Sequence, residues 1–270
     1  MFVGPAANIK KMTAGEGQYF GQVTLTGADR MLELDLHGGP ALKKINLADN
    51  KNKTYLIQKI NCANCQAYDE ALDQSRFPLL KEIDLSNTNA TFTFDANGGI
   101  LQKARLSSAT KEISIRNHYE LTNVTLDIKY PKILGATENP QKEHSTELSS
   151  LKLVNCPKIT FDYNPLYLED ARYVPLGDST SLNNIATYVK DYGILSLFQG
   201  LTTIQLSNSL AVEPYIETGS IETIYPLKLC HCNLNYVEIT NSGIDTILMI
   251  AKNDLYSKGL DSNNNIVSYT

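Results

Sequence analysis

Two cysteine clusters come closest to chemistry by residue type and spacing: Cys62 with Cys65, two residues between them, and the run Cys230, His231, Cys232. Thiolates and an imidazole so grouped are zinc ligands. A tetrahedral site built from both clusters would need them side by side, yet nearly 170 residues separate them. A redox pair at Cys62 and Cys65 would need a strand feeding a helix start in a βαβ unit, and the flanking residues lack that pattern. The expectation is therefore reduced, buried thiols, with no metal and no cofactor.

Other reactive side chains are thinly spread. The four histidines, His37, His118, His144 and His231, fall in no HExxH or GxSxG arrangement. Glu82 with Asp84, and Glu169 with Asp170, are the raw material of two-acid glycoside hydrolysis. Neighbouring acids on exposed strands are ordinarily just solvated. Gly98 and Gly99 read as a turn between two strand-like runs, not as a phosphate-binding loop. No catalytic residue is predicted, and the chain is expected not to be an enzyme.

The elements that must hold these residues follow from a pattern repeated eight times, apolar-x-x-apolar-x-apolar. Its copies begin at Leu42, Ile57, Leu80, Leu101, Leu121, Leu148, Leu201 and Leu234, and four carry Asn50, Cys65, Cys156 or Ser242 three residues past the last apolar position. The second and third apolar positions lie two apart and point inward from a short strand, with the residue between them in solvent. Each unit is too small to bury its own apolar face, so stacked neighbours must share one core. This predicts a mainly β, irregular leucine-rich-repeat, right-handed solenoid. From Leu80 to Leu121 the starts are about twenty residues apart, within the usual range, but elsewhere the spacing varies widely.

Insertions account for that irregularity. Residues 67–76 and 181–198 read as helices, the second burying Leu182, Ile185, Ala186 and Val189 on one face, and a third helix is expected over 244–257. Residues 18–36 alternate like an antiparallel hairpin turned at Gly27-Ala28-Asp29, which would cap the stack. The expected organisation is a β cap over 1–40, the solenoid over 41–243, and a helix with the start of an incomplete unit over 244–270. The run Ile266-Val-Ser-Tyr has nothing to pair with, so the polypeptide or its assembly is expected to continue past Thr270.

Composition narrows the partners. With 270 residues, 42% hydrophobic, and a net charge of −5, the chain gives no argument for a polyanion or a membrane. It has no apolar run of about 18 residues to span a bilayer and no secretory h-region at its start. On the outward strand positions a basic stripe, Lys44, Lys59, Lys103 and Arg105, gives way to Ser and Thr, and Tyr236 is the one aromatic. Sugars and single-stranded nucleic acids are usually stacked on rings. The stripe is thus the candidate binding surface for another protein.

The stretch 101–159 alternates LxxLxL copies with TKEISIRN, then LTNVTLD and LSSLKLVNCPKI, and residues 259–267 read GLDSNNNIV. Over residues 40–265 this resembles the degenerate leucine-rich repeats of large virion proteins of tailed phages of gut bacteria, and of surface leucine-rich-repeat proteins of gut anaerobes. The resemblance implies a non-enzymatic virion component of tail, neck or fibre, in a larger assembly, contacting other virion proteins or a host surface receptor. A bacterial cell-surface adhesin or interaction module is the alternative, and a solenoid glycan depolymerase the third.

Overall fold

A computed structural model describes residues 9–248, apart from 15–16, 18, 48–51, 131–145, 170–171, 178, 199, 210–214, 217–222, 225, 231, 233, 242–243 and 245. The fold is mainly β with parallel sheets and, among the described residues, one α-helix. The first half carries short strands: β1 (Lys11–Thr13), β2 (Gln22–Thr24), β3 (Glu33–Asp35), β4 (Lys44–Asn46), β5 (Lys59–Asn61), β6 (Ala71–Asp73), β7 (Glu82–Asp84), β8 (Thr91–Thr93) and β9 (Lys103–Leu106). Longer ones follow: β10 (Glu112–Arg116), β11 (Asn123–Tyr130), β12 (Ser150–Cys156), β13 (Thr160–Glu169) and β14 (Arg172–Pro175). After α1 (Ser179–Tyr192) come β15 (Thr203–Ser209), β16 (Tyr215–Ile216), β17 (Thr223–Ile224), β18 (Pro226–Lys228), β19 (Tyr236–Thr240) and β20 (Thr246–Leu248).

The chain alternates between sheets. β1, β3, β5, β7, β9, β11 and β13 pair in parallel, and β14 closes that eight-stranded sheet antiparallel to β13. The strands between them pair among themselves: β2 with β4, β6 with β8, and β10, β12, β15 and β19 as a four-stranded sheet. Register stacks like on like. Met12, Leu34, Ile60, Ile83, Ala104 and Val124 form one inward row, all buried, and Ile113, Leu151 and Ile204 form another.

Corners are built by two consecutive turns. The amide of Gly39 donates to Leu36 O and that of Leu42 to Gly39 O; Cys62, Cys65 and Tyr68 repeat the arrangement, as do Gln74, Phe77 and Leu80. Bonds to the third residue back bring every third side chain to the same face. Inward positions are thus two apart in strands and three apart at corners, which places Val23, Leu34 and Ile45 eleven residues apart, each buried.

That mixed spacing explains three corrections. Residues 67–76 are not a helix: they hold β6 and a single 3-10 turn, Gln74–Arg76. Buried Cys65, Tyr68 and Leu72 have helical spacing but belong to a corner entering a strand. Residues 18–36 are not an antiparallel hairpin, since β2 pairs in parallel with β4, and β3 with β1 and β5. Period-two alternation marks a strand without naming its partner. Within the third expected helix, Thr246–Leu248 is strand β20, parallel to β18, while residues 249–270 lie outside the described residues. β3, within the expected cap, pairs in parallel with β5, within the expected solenoid.

The expected helix in the second insertion is present as α1, followed by a 3-10 turn at Ile194–Leu197. It buries Ile185 and Tyr188, whereas Ala186 faces solvent. Gly193 ends it at φ +81°, where a Cβ would lie 2.5 Å from Lys228 Cβ, so both conformation and packing require glycine.

Candidate interaction face and a buried carboxylate

The outward positions of the large sheet carry charge in alternation. One row runs Lys11, Glu33, Lys59, Glu82, Lys103 across five paired strands, and the next runs Asp35, Asn61, Asp84, Arg105. Lys11 Nζ lies 2.8 Å from Glu33, Lys59 Nζ 2.9 Å from Glu82, and Arg105 Nη1 3.3 Å from Asp84. The bond to Glu82 raises the Lys59 pKa, and the same bond lowers that of Glu82. Lys59, Lys103 and Arg105 are therefore brought onto one face, with the acids of β7 interleaved between them.

Lys44 is elsewhere. It lies on β4, in the other layer, with its Nζ 3.5 Å from Glu70, whose second oxygen accepts from the Ile45 amide. The four cations form no single stripe, because each strand pairs with the second strand on and consecutive copies in sequence are not all neighbours in space.

Each exposed pair contributes at most about 1 kcal/mol, so the ladder sets register and neutrality more than stability. Lys59→Glu would place a third acid between Glu33 and Glu82, and is expected to cost about 1 kcal/mol. Urea denaturation should show that loss in low salt and its reduction in 1 M NaCl. An unchanged midpoint in low salt would mean that the charges do not sense one another.

Where strands turn, asparagine adopts the left-handed conformation. Asn64, Asn87, Asn117, Asn155, Asn208 and Asn241 all have positive φ, from 46° to 62°. Their side chains join successive layers: Asn87 Nδ2 donates to Asn64 Oδ1 at 3.0 Å, Asn155 to Asn117 at 2.9 Å, and Asn208 to Asn155 at 3.4 Å. The turning residue is thus the asparagine just before Cys65 and Cys156; the thiols themselves point inward. Cys65 Sγ donates to Leu36 O at 3.0 Å and Cys156 Sγ to Val154 O at 3.3 Å. Burial raises the thiol pKa at Cys62, Cys65, Cys156 and Cys232, to about 11 at Cys65 and about 12 at Cys232, which leaves these four protonated at neutral pH. Among the described residues no group of three His, Cys, Asp or Glu side chains converges as a metal site would require; His144, His231 and Asp170 lie outside them.

His118 occupies a corner position and is fully buried. Its Nδ1 lies 2.7 Å from Arg116 O and its Nε2 3.0 Å from Gln74 Oε1, an oxygen already facing the Asp95 amide. Two acceptors suit a doubly protonated ring, whereas burial lowers its pKa and favours the neutral one. The neutral tautomer with its proton on Nδ1 makes the shorter contact a hydrogen bond to Arg116 O and leaves Nε2 without one to the Gln74 oxygen.

The most unusual group is Asp127, 1% exposed. At other corners the backbone amide donates to a carbonyl of the next layer: Gly38 to Ala63 O, Asn64 to Ser86 O, Asn117 to Val154 O. At Asn87 the acceptor is instead Asp127 Oδ2, at 2.5 Å, because β11 runs on where shorter strands turn. Asp127 Oδ1 accepts from the Asn164 amide at 2.7 Å. From β14, Tyr173 O accepts from both the Asn87 and Gln66 amides, each at 2.8 Å, and Lys129 Nζ sits 4.7 Å from the Tyr173 ring centroid. Desolvation raises the Asp127 pKa to about 7 against the opposing pull of its two hydrogen bonds. Nothing in the repeat pattern singles out this residue, which alternation places with Asn123 and Thr125 on the outward side of β11.

Comparison with known proteins finds no matching family model, no matching curated protein and no matching solved structure.

Proposed function

We propose that the chain is a right-handed leucine-rich-repeat solenoid that serves as a non-enzymatic structural and binding module, through protein–protein contacts, in the tail, neck or fibre of a phage particle. The observation that carries this reading is register: seven parallel strands stack like residue on like, so inward rows make one shared core and outward rows one ordered face. At about 4.8 Å per strand, eight strands extend roughly 34 Å, a surface that reads shape and hydrogen bonding across many layers. Its internally paired charges suit orientation of a partner more than long-range attraction. Placement in a virion is supported by the resemblance of residues 40–265 to phage leucine-rich-repeat regions.

Cryo-EM of purified particles is the direct test, and density fitting this chain in a symmetric array is the expected result. Recovery of the native protein only from bacterial outer surfaces would replace this reading with the adhesin. On an identified partner, changing Lys59, Lys103 and Arg105 together to Gln should weaken binding and flatten its salt dependence. Lys44→Gln should not, since that side chain lies in the other layer.

A further inference from the structure

At the corner that enters the large sheet, three successive layers leave an apolar side chain in water. The backbone stacks Gln58, Lys81 and Gln102, since the Lys81 amide donates to Gln58 O and the Gln102 amide to Lys81 O, each at 2.8 Å. Two residues before them stand Leu56, Leu79 and Ile100, 43%, 38% and 40% exposed, while the adjoining Ile57, Leu80 and Leu101 are fully buried. Where the Gln58 amide donates to Leu32 O and the Thr122 amide to Gln102 O, the equivalent places in the flanking layers are polar. They are exposed Arg30 at one end and, at the other, Glu120, whose carboxylate lies 3.4 Å from Lys158 Nζ. The apolar row is thus three layers long and bounded by charge at both ends. We propose that this corner row is a docking surface for an amphipathic helix of another protein, laid along the stack. Its apolar face would rest on Leu56, Leu79 and Ile100, and carboxylates along one flank would meet Lys81 and Lys103. This is a second surface, beside the outward strand face, and it does not depend on where the protein is assembled.

Spacing selects the helix. Layers of a parallel sheet lie about 4.8 Å apart, so the first and third members of the row are separated by about 9.6 Å. Two helical turns rise about 10.8 Å and return side chains at i, i+4 and i+7 to one face, close to that span. Alternate residues of a strand step about 6.7 Å, and three of them cover about 13 Å, so a strand laid the same way drifts off the row. Charge selects the flank. Lys81 and Lys103 are exposed, stand on the strand side of the row in adjacent layers, and form no ion pair among the described residues. Lys59 and Arg105, by contrast, are held by Glu82 and Asp84. Cations so placed accept a partner that brings carboxylates to them and reject a cationic one, setting orientation more than affinity. The buried neighbours Ile57, Leu80 and Leu101 fix each corner, so the row receives the helix without rearrangement.

Methyl NMR of the whole chain, titrated with a designed peptide, tests the surface. The probe is a capped, alanine-rich helix of about 18 residues, with leucine at i, i+4 and i+7 and glutamate along one flank. The methyls of Leu56, Leu79 and Ile100 should shift together and saturate, while those of Val237, 39% exposed but on β19, stay still. Changing the peptide's glutamates to lysines should weaken binding roughly tenfold, as two exposed pairs turn from attraction to repulsion. Lys81→Glu combined with Lys103→Glu should reverse that order, and Leu79→Asp should abolish saturation. Absence of a saturable shift, or equal movement of Val237, would overturn the docking surface. So would equal binding by the peptide with two central alanines changed to proline, since its occupant is then not a helix. Movement of the three methyls on raising the protein concentration alone would assign the row to a second copy and overturn the proposal too. These readings use the unmodified chain, so they decide the matter even if a variant fails to fold. A negative result here leaves the cryo-EM test of particle placement standing, and failure of that test leaves this surface standing.

Discussion

Phe77→Ala is expected to destabilise the fold by about 3–5 kcal/mol, the cost of emptying a large buried aromatic site. Phe77 is 1% exposed, and its ring centroid lies 5.8 Å from that of fully buried Tyr55. Its amide donates to Gln74 O at 2.7 Å and its carbonyl accepts from Leu80 at 3.0 Å, so one residue fixes both turns of its corner. It lies outside every LxxLxL copy, which makes the variant a test of whether corners or strands dominate the core. Leu79→Ala, two residues on but 38% exposed, is the control and should change stability by about 0.5 kcal/mol or less. Urea midpoints of the two variants separate the cases. A Phe77→Ala loss below about 1 kcal/mol would remove the corner from the shared core.

Asn87 should be the second most sensitive position. Replacing it with Ala removes Nδ2 bonds to Asn64 Oδ1 and Tyr173 O, each contributing about 1 kcal/mol net. It also leaves a Cβ residue at φ 54° without the side chain that favours that conformation, adding about 1 kcal/mol. A total loss of roughly 3 kcal/mol is expected. Asn87→Gly loses the same bonds without the conformational cost, so it should recover about 1 kcal/mol of that. If Gly and Ala prove equally damaging, strain at the corner contributes nothing, and the ladder of side-chain bonds carries the whole effect.

Both positions show how unevenly the molecule can be read from residues alone. The inward apolar pairs, Ile60 with Cys62, Ile83 with Leu85, Leu151 with Leu153 and Ile204 with Leu206, are legible because strand geometry enforces a period of two. The Asn-Cys dipeptides at 64–65 and 155–156 mark turns, but they conceal which member turns. Burial assigns the thiol inward and the positive φ assigns the asparagine to the bend. Helical spacing misleads at 65, 68 and 72, since three-residue corner turns copy it over that distance. At α1 the same spacing continues long enough for a helix to win.

Charge shows the limit most plainly. Lys59, Lys103 and Arg105 are visible as outward residues of two copies, yet their effect depends on Glu82 and Asp84 arriving between them, which pairing of β5, β7 and β9 decides. Lys44 belongs to the same pattern in sequence and to another layer in space. Asp127 is silent in sequence altogether, because its perturbed acidity arises from the Asn87 amide, the Asn164 amide and the cover of β14, groups brought together from 40, 37 and more than 40 residues away. Local periodicity, a property of neighbours along the chain, determined which side chains face the core. Strand partnership and burial, which join residues remote along the chain, decided which charges meet and which acid is kept from water.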